Sequence, residues 1–122
     1  MKFYICKHCK NIIVYLNESG VAVSCCGEPM QELVPNTVDA ATEKHVPVYT
    51  KEGNLVTVKV GSVAHPMEEK HSIKLIVLET ENGFQERRLN VSDAPTAQFM
   101  LNDGEEVKAV YEYCNIHGLW KA

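Results

Sequence analysis

Residues 55–80 read LVTVKVGSVAHPMEEKHSIKLIVLET, in which two strand-like runs flank a loop that carries two histidines. Leu55 to Val60 alternates apolar and polar residues, and Ser72 to Thr80 is apolar and β-branched, so both runs predict β-strands. His65 and His71 would lie roughly 20 Å apart on a strand, or roughly 120° apart around a helix. Only a loop lets both rings reach one point, and a proline follows the first histidine directly. We therefore predict that one histidine closes the first strand and the other opens the next.

Further strand-like runs, separated by turns, continue the pattern through the rest of the chain. Asp39 to Lys44 predicts one helical turn, which Pro47 ends by restricting the residue before it. The other predicted strands are Val48 to Lys51, Phe84 to Leu89, Ala97 to Leu101 and Val107 to Tyr113. Several short strands without a long helix predict an antiparallel β-sandwich, whose end loops can hold a functional site.

Two other segments supply metal-ligand side chains of the same kind as the histidine loop. The candidates are His45, His65, His71, Cys114 and His117. A single histidine is usually an ordinary core or surface residue, but four beside an unpaired late cysteine favour a metal site. Five donors exceed the four that zinc normally takes from protein. They suit iron with one open octahedral position better, and a four-ligand zinc site with one spare histidine is the alternative.

The N-terminal segment contains two cysteine pairs, Cys6-Lys7-His8-Cys9 and Cys25-Cys26-Gly27. A C-x-x-C knuckle with a second cysteine pair predicts a tetrahedral site of four sulfurs. Neighbouring side chains of an extended chain point to opposite faces, so the second pair requires a bend, which Gly27 permits. Spacing alone leaves a structural zinc ribbon open as the alternative. His8 is interpreted as an exposed bystander.

The residues between these cysteine pairs predict a hairpin. Asn11 to Leu16 and Val21 to Ser24 form the two expected strands, joined by a turn at Asn17-Glu18-Ser19-Gly20. In this interpretation both thiol pairs lie at the open end of the hairpin. So short a segment buries little apolar surface, so a bound ion would supply much of its stability.

Composition limits the classes of function. At 122 residues, the chain is long enough for one domain or two small ones. A net charge of −4 argues against nucleic-acid binding. No apolar run is long enough to span a membrane, and no secretory h-region follows Met1. We therefore expect the reducing cytoplasm, where the five cysteines are read as metal ligands before disulfides.

Taken together, these motifs resemble desulfoferrodoxin, the two-iron class of superoxide reductase, along essentially the whole chain. The residues that carry the resemblance are Cys6-x-x-Cys9, Cys25-Cys26-Gly27-Glu28-Pro29-Met30, Glu43-Lys44-His45-Val46-Pro47, Gly61 to His71, and Cys114-Asn115-Ile116-His117-Gly118-Leu119-Trp120. No ligand of the family pattern is missing. The combination is far more specific than any single motif.

The resemblance implies an all-β protein with two metal domains. Residues 1–36 would form a small desulforedoxin-like, rubredoxin-like domain, and residues 37–122 an immunoglobulin-like antiparallel β-sandwich with a catalytic mononuclear iron. The first iron would be held by Cys6, Cys9, Cys25 and Cys26. The catalytic iron would be held by four equatorial histidines, His45, His65, His71 and His117, and by axial Cys114.

The resemblance also implies the reaction, which is one-electron reduction of superoxide to hydrogen peroxide without release of dioxygen. In the family, Glu43 would occupy the open sixth position after oxidation, and Lys44 would assist the incoming anion. Electrons would come from a rubredoxin-like donor, and the protein would be a cytoplasmic homodimer. A calcium ion at an interface is a further cofactor under this resemblance, although no ligands for it can be read from the sequence.

Two functions from other classes stay open at this point. One is a non-enzymatic zinc-binding adaptor, and the other is an iron electron carrier without a substrate of its own. A carrier favours a closed ligand shell, whereas five donors leave a position free. Superoxide dismutation is disfavoured because closure of the oxidised site by Glu43 would work against it. The N-terminal iron could relay electrons or only hold its module together.

Overall fold

The computed structural model describes residues 1–122, which form two compact units, Met1–Val34 and Pro35–Ala122. The predicted division between residues 36 and 37 stays a prediction. The predicted all-β class is confirmed, since the only α-helix spans four residues. No helix is both long and apolar enough to cross a membrane.

The N-terminal unit is built from very short strands. These are β1 (Phe3–Ile5), β2 (Ile12–Val14), β3 (Ser24–Cys25), β4 (Glu28–Pro29) and β5 (Gln31–Leu33). One antiparallel sheet has the order β2-β1-β5, and β3 pairs with β4 alone.

The hairpin predicted between the two cysteine pairs is wrong. β2 pairs with β1, in the register Tyr4↔Ile13, rather than with a strand at residues 21–24. Leu16 and Val21 are 89% and 74% exposed, so the turn region contributes no apolar face to a sheet. The N-terminal run Phe-Tyr-Ile supplies that face instead, because Phe3 is only 3% exposed.

The C-terminal unit is an antiparallel β-sandwich, as predicted. Its elements are α1 (Thr42–His45), β6 (Pro47–Glu52), β7 (Leu55–Val60), β8 (Ile73–Thr80), β9 (Gly83–Arg88), β10 (Thr96–Met100), β11 (Ala109–Cys114) and β12 (Gly118–Lys121). The sheet orders are β10-β7-β6 and β12-β11-β8-β9. Sheets of three and four strands are the arrangement of immunoglobulin constant-type domains.

The core between the two sheets follows the alternation seen in the sequence. Val56, Val58 and Val60 of β7 are fully buried, whereas the alternate residues face outward. They pack in one cluster with Phe99 and with apolar residues of β8 and β11. Burial of each such side chain contributes roughly 1.5–3 kcal/mol. This core fixes the strand ends from which the candidate site is built.

Two boundaries at the site differ from the sequence prediction. β7 ends at Val60 and β8 begins at Ile73, so His65 does not close the first strand and His71 does not open the next. The second difference is β12, which was not predicted and which pairs with β11 in the register Cys114↔Gly118. A four-residue strand that begins with glycine carries little strand signal in its sequence.

Candidate metal centres

The first centre is the cluster of four thiols in the N-terminal unit. The sulfurs of Cys6, Cys9, Cys25 and Cys26 all lie within 4.8 Å of one another. Cys9 Sγ and Cys25 Sγ are 3.6 Å apart, and all four cysteines are free of disulfides. The structure therefore brings together the four thiols that the sequence indicated.

The backbone around this cluster folds each cysteine pair into a tight knuckle. The N–H of Cys6 donates to Asn11 O at 2.9 Å, and the N–H of Lys10 donates to Cys6 O at 3.0 Å. Cys26 and Gly27 have φ values of 52° and 79°, so the chain bends at the second pair. This bend lets two adjacent sulfurs reach the same point, which an extended strand forbids.

Near neutral pH the four close thiols of this cluster oppose one another's ionisation. The N–H of Cys9 bonds the sulfur of Cys6 and, with other bonds, lowers the pKa of that thiol to about 6. The pKa of Cys26 rises to about 12, chiefly because its sulfur interacts with that of Cys6. A bound cation relieves this conflict, since a coordinating thiol is deprotonated outright. The donor set is tetrahedral S₄, which suits zinc or iron.

Two polar side chains flank the thiol cluster. The side-chain N–H of Asn11 donates to Cys25 Sγ at 3.8 Å. His8, predicted to be a bystander, is exposed, and its Nε2 lies 3.2 Å from Glu28 Oε2. Asn11 was missed by the sequence analysis because its only signal is its place two residues after the knuckle.

The second centre lies at one end of the sandwich and brings together the other five candidates. Ligand atoms of His45, His65, His71 and Cys114 are all within 4.8 Å of one another. His117 Nδ1 lies 3.0 Å from His45 Nε2 and 3.9 Å from Cys114 Sγ. Three segments that are distant in sequence therefore bring four imidazoles and one thiol together at one place.

Hydrogen bonds to the backbone fix which nitrogen two of these rings present. His45 Nδ1 lies 2.7 Å from Ala41 O, and His65 Nδ1 lies 2.7 Å from Pro66 O. Because a carbonyl only accepts, both Nδ1 atoms carry the proton and both Nε2 atoms are bare. This is the arrangement by which proteins orient metal-binding histidines.

The bare nitrogens meet in a way that fits a metal ion. His45 Nε2 and His65 Nε2 are 3.2 Å apart, so two lone pairs face each other. The buried Nε2 of His71 has no hydrogen-bond partner. Buried polar atoms are nearly always satisfied. A cation at this point would satisfy these nitrogens together, and the donor set N₄S with one position free suits iron.

The electrostatics favour the neutral imidazoles that a metal requires. Burial lowers the pKa of His65 to about 4 and also lowers the pKa of His45. Burial raises the pKa of the Cys114 thiol, whereas backbone N–H groups of His117 and Ile116 lower it. His117 N lies 3.5 Å from Cys114 Sγ. A cation is needed to make this buried sulfur a thiolate.

A close contact with Gly61 holds the short helix α1 in place. The carbonyl of Glu43 accepts the N–H of Val63 at 2.9 Å and the hydroxyl of Ser62 at 3.2 Å. A Cβ at Gly61 would lie 2.7 Å from that carbonyl oxygen and 2.8 Å from Val46 O. Only glycine therefore lets the loop after β7 pack on the helix that carries His45.

Glu43 and Lys44, the proposed catalytic pair, lie on the same helical turn as His45 and are exposed. Burial lowers the pKa of His71, and the positive charge of Lys44 is among the further causes. Burial also lowers the pKa of His45, which the negative charge of Glu43 partly offsets. Both charges thus act on the histidine cluster from its exposed side.

Two buried residues near this centre were not predicted from the sequence. Trp120 donates its Nε1–H to His117 O at 3.1 Å, and its ring stacks on His45. Glu112 is fully buried on β11 with neither carboxylate oxygen hydrogen-bonded, and burial raises its pKa to about 9. The sequence signal that could have pointed to Glu112 is a glutamate within an apolar, strand-like run.

Comparison with known proteins identifies the family. The family model described as Desulfoferrodoxin matches residues 37–122. The chain belongs to the desulfoferrodoxin family. Proteins named desulfoferrodoxin from Nitratidesulfovibrio vulgaris Hildenborough and Syntrophotalea carbinolica are 47% and 48% identical to it. The alignments cover 99% and 100% of this chain, and 94% and 95% of the relatives.

A solved structure extends this family assignment to three dimensions. The superoxide reductase from Treponema pallidum superposes with a TM-score of 0.84 at 39% sequence identity. The superposition covers 99% of this chain and 97% of that one. The S₄ and N₄S donor sets of the chain fit the two irons of a two-iron desulfoferrodoxin.

Proposed function

We propose that the chain is a superoxide reductase, which converts superoxide, one electron and two protons into hydrogen peroxide. The observation that carries the proposal is the convergence of four imidazoles and one buried thiol on one point. These five donors would hold the iron, and an ion that takes six ligands would then keep one position for the substrate. The similar Treponema pallidum protein is described as a superoxide reductase, which supports the same activity here.

The chain's own residues prepare this site for redox chemistry. When bound, ferrous iron supplies the electron that reduces superoxide. Cys114 is fully buried, and the N–H of His117 points at its sulfur, so the donor strength of the thiolate is set by the protein. The carbonyls of Ala41 and Pro66 orient His45 and His65.

Two exposed residues beside the cluster are assigned to the substrate side. Lys44 offers a positive charge close enough to lower the pKa of His71, and we assign it the attraction of the superoxide anion. Glu43 is anchored through its carbonyl by the 61–63 loop while its side chain stays exposed. We assign its carboxylate the closure of the site in the oxidised protein.

The remaining assignments concern the electron supply, the cellular compartment and the oligomeric state. The S₄ cluster would hold the second iron, and a rubredoxin-like protein would supply electrons one at a time. All five cysteines are free, and their use as metal ligands favours a reducing compartment, the cytoplasm. A homodimer is carried over from the family resemblance.

Anaerobic purification followed by metal analysis, optical spectroscopy and superoxide kinetics tests this function. The expected result is two irons per chain and a rubredoxin-like spectrum, with a further band after mild oxidation. Superoxide should disappear at the expense of a reductant, with hydrogen peroxide and no dioxygen as product. Zinc in both sites, without visible bands after reconstitution with iron, would overturn the proposal in favour of the adaptor.

A further inference from the structure

Asn115 links two segments of the catalytic centre that are distant in sequence. Its side-chain Oδ1 accepts the N–H of Ser72 at 3.0 Å, and its Nδ2 donates to Lys70 O at 3.0 Å. Its backbone N–H donates to Ser72 O at 3.2 Å. Three hydrogen bonds thus connect the residue that follows Cys114 to the two residues on either side of His71.

His71 is held differently from its neighbours in the cluster. The rings of His45 and His65 are each fixed by an Nδ1–H bond to a backbone carbonyl. The buried Nε2 of His71 has no protein partner, and the residue is held by backbone bonds to Glu68 at 2.9 and 3.1 Å. The orientation of the His71 ring therefore depends on the position of its loop. Asn115 holds that loop through the residues on both sides of His71.

We propose that Asn115 is a positioning residue that sets His71 against Cys114 and His117 at the metal site. The inference rests on the proposed iron site and extends it to a residue outside the ligand set. A planar amide offers one donor and one acceptor side by side, so it can bond Lys70 O and Ser72 N–H at once. A side chain with only one of these groups leaves a backbone partner unpaired.

The main test is iron retention by Asn115→Ala in the full-length protein. Removal of a residue that orients metal ligands typically costs about 10–100-fold in metal affinity. We expect a loss of that size for Fe²⁺ at the N₄S centre in competition with a chelator. The thiolate-to-ferric band of the oxidised protein should also change in position or intensity, which a purely structural role would not cause.

Asn36 provides the matched control. Its Nδ2 donates to Lys121 O at 3.1 Å, its Oδ1 accepts the N–H of Lys121 at 2.9 Å, and its own N–H donates to Leu119 O. Asn36→Ala, like Asn115→Ala, removes one side-chain donor and one side-chain acceptor bonded to backbone groups. The φ of 62° at residue 36 also makes alanine strained there. This variant should destabilise folding at least as much as Asn115→Ala, but because it acts on β12 and not on the His71 loop, it should lower Fe²⁺ affinity less than Asn115→Ala does; an equal loss would assign the effect of Asn115→Ala to general destabilisation.

A second variant keeps the test decisive if Asn115→Ala does not fold. Asn115→Asp keeps the acceptor for Ser72 N–H but replaces the donor to Lys70 O with a carboxylate oxygen that this carbonyl repels, so the band of this variant should also differ from that of the parent. A parent-like band and Fe²⁺ affinity in both folded variants, or in Asn115→Asp alone if the alanine variant does not fold, would overturn the inference. Failure of the parent itself to bind iron at this centre would instead overturn the proposed function.

Discussion

The indole ring of Trp120 lies on the imidazole ring of His45, with centroids 4.9 Å apart and planes 26° apart. The same indole donates its N–H to His117 O. One side chain of β12 therefore contacts two proposed ligands that are 72 residues apart in sequence. Trp120 is only 3% exposed, so this contact is buried within the C-terminal unit.

Trp120→Ala should weaken both the fold and the metal site. Loss of a buried aromatic ring costs about 3–5 kcal/mol in the free energy of unfolding, and lost orientation of His45 should reduce Fe²⁺ affinity by about 10–100-fold. Trp120→Phe keeps a ring that can stack on His45, but it loses the N–H donor, at about 1 kcal/mol, and part of the buried ring, which adds to the loss of stability. Chelator competition and denaturant unfolding measure the two effects. Equal losses of Fe²⁺ affinity in both variants would show that stacking on His45 has no part.

Gly61→Ala should displace the helix that carries His45, Glu43 and Lys44. The new Cβ would lie 2.7 and 2.8 Å from two backbone oxygens, which cannot move aside as a flexible side chain can. We expect a loss of about 1–3 kcal/mol in the free energy of unfolding, and slower superoxide reduction. Gly83→Ala is the control, because nothing lies within 4 Å of a Cβ there. Normal activity in Gly61→Ala would mean that the helix position is not set by this contact.

The sequence predicted the sandwich because strands such as β7 alternate strictly, and it predicted the ligands because cysteines and histidines have few other reasons to gather. It failed where the decisive contact is between distant backbone atoms. The pairing of Phe3–Ile5 with two later strands, and the approach of Gly61 to Glu43 O, leave no local pattern. Trp120 and Asn115 were quoted only as parts of a motif, since their partners are known only after folding.

Glu112→Gln should remove a pH dependence of stability. Burial raises the pKa of this carboxyl to about 9 from its ordinary 4.5, so between these values the folded chain holds a proton that the unfolded chain has lost. The free energy of unfolding then falls as pH rises, by up to about 1.4 kcal/mol per pH unit. The free energy of unfolding of both proteins is measured between about pH 5 and 9. The difference between the two values at each pH gives the contribution of Glu112. A difference that does not vary with pH would contradict a protonated Glu112.

Lys44→Ile should slow the capture of superoxide and weaken its dependence on ionic strength. Lys44 is exposed beside the histidine cluster, and a charge near the path of an anion acts mainly on the association rate. We expect a loss of up to about tenfold in the second-order rate constant at low salt, measured by pulse radiolysis.

Lys59→Ile separates this local effect from a change of net charge. Lys59 is exposed on β7, where the outward alternation places it on the face away from the core. The Lys59→Ile variant removes the same charge as Lys44→Ile but leaves the helix of His45 unchanged. The rate of superoxide capture should therefore stay close to that of the parent. Equal slowing by both variants would assign the effect to net charge, and no slowing in Lys44→Ile would remove Lys44 from the substrate path. Because Glu43, Glu68 and Glu69 outnumber the nearby lysines, attraction of an anion to this face depends on where a single lysine lies.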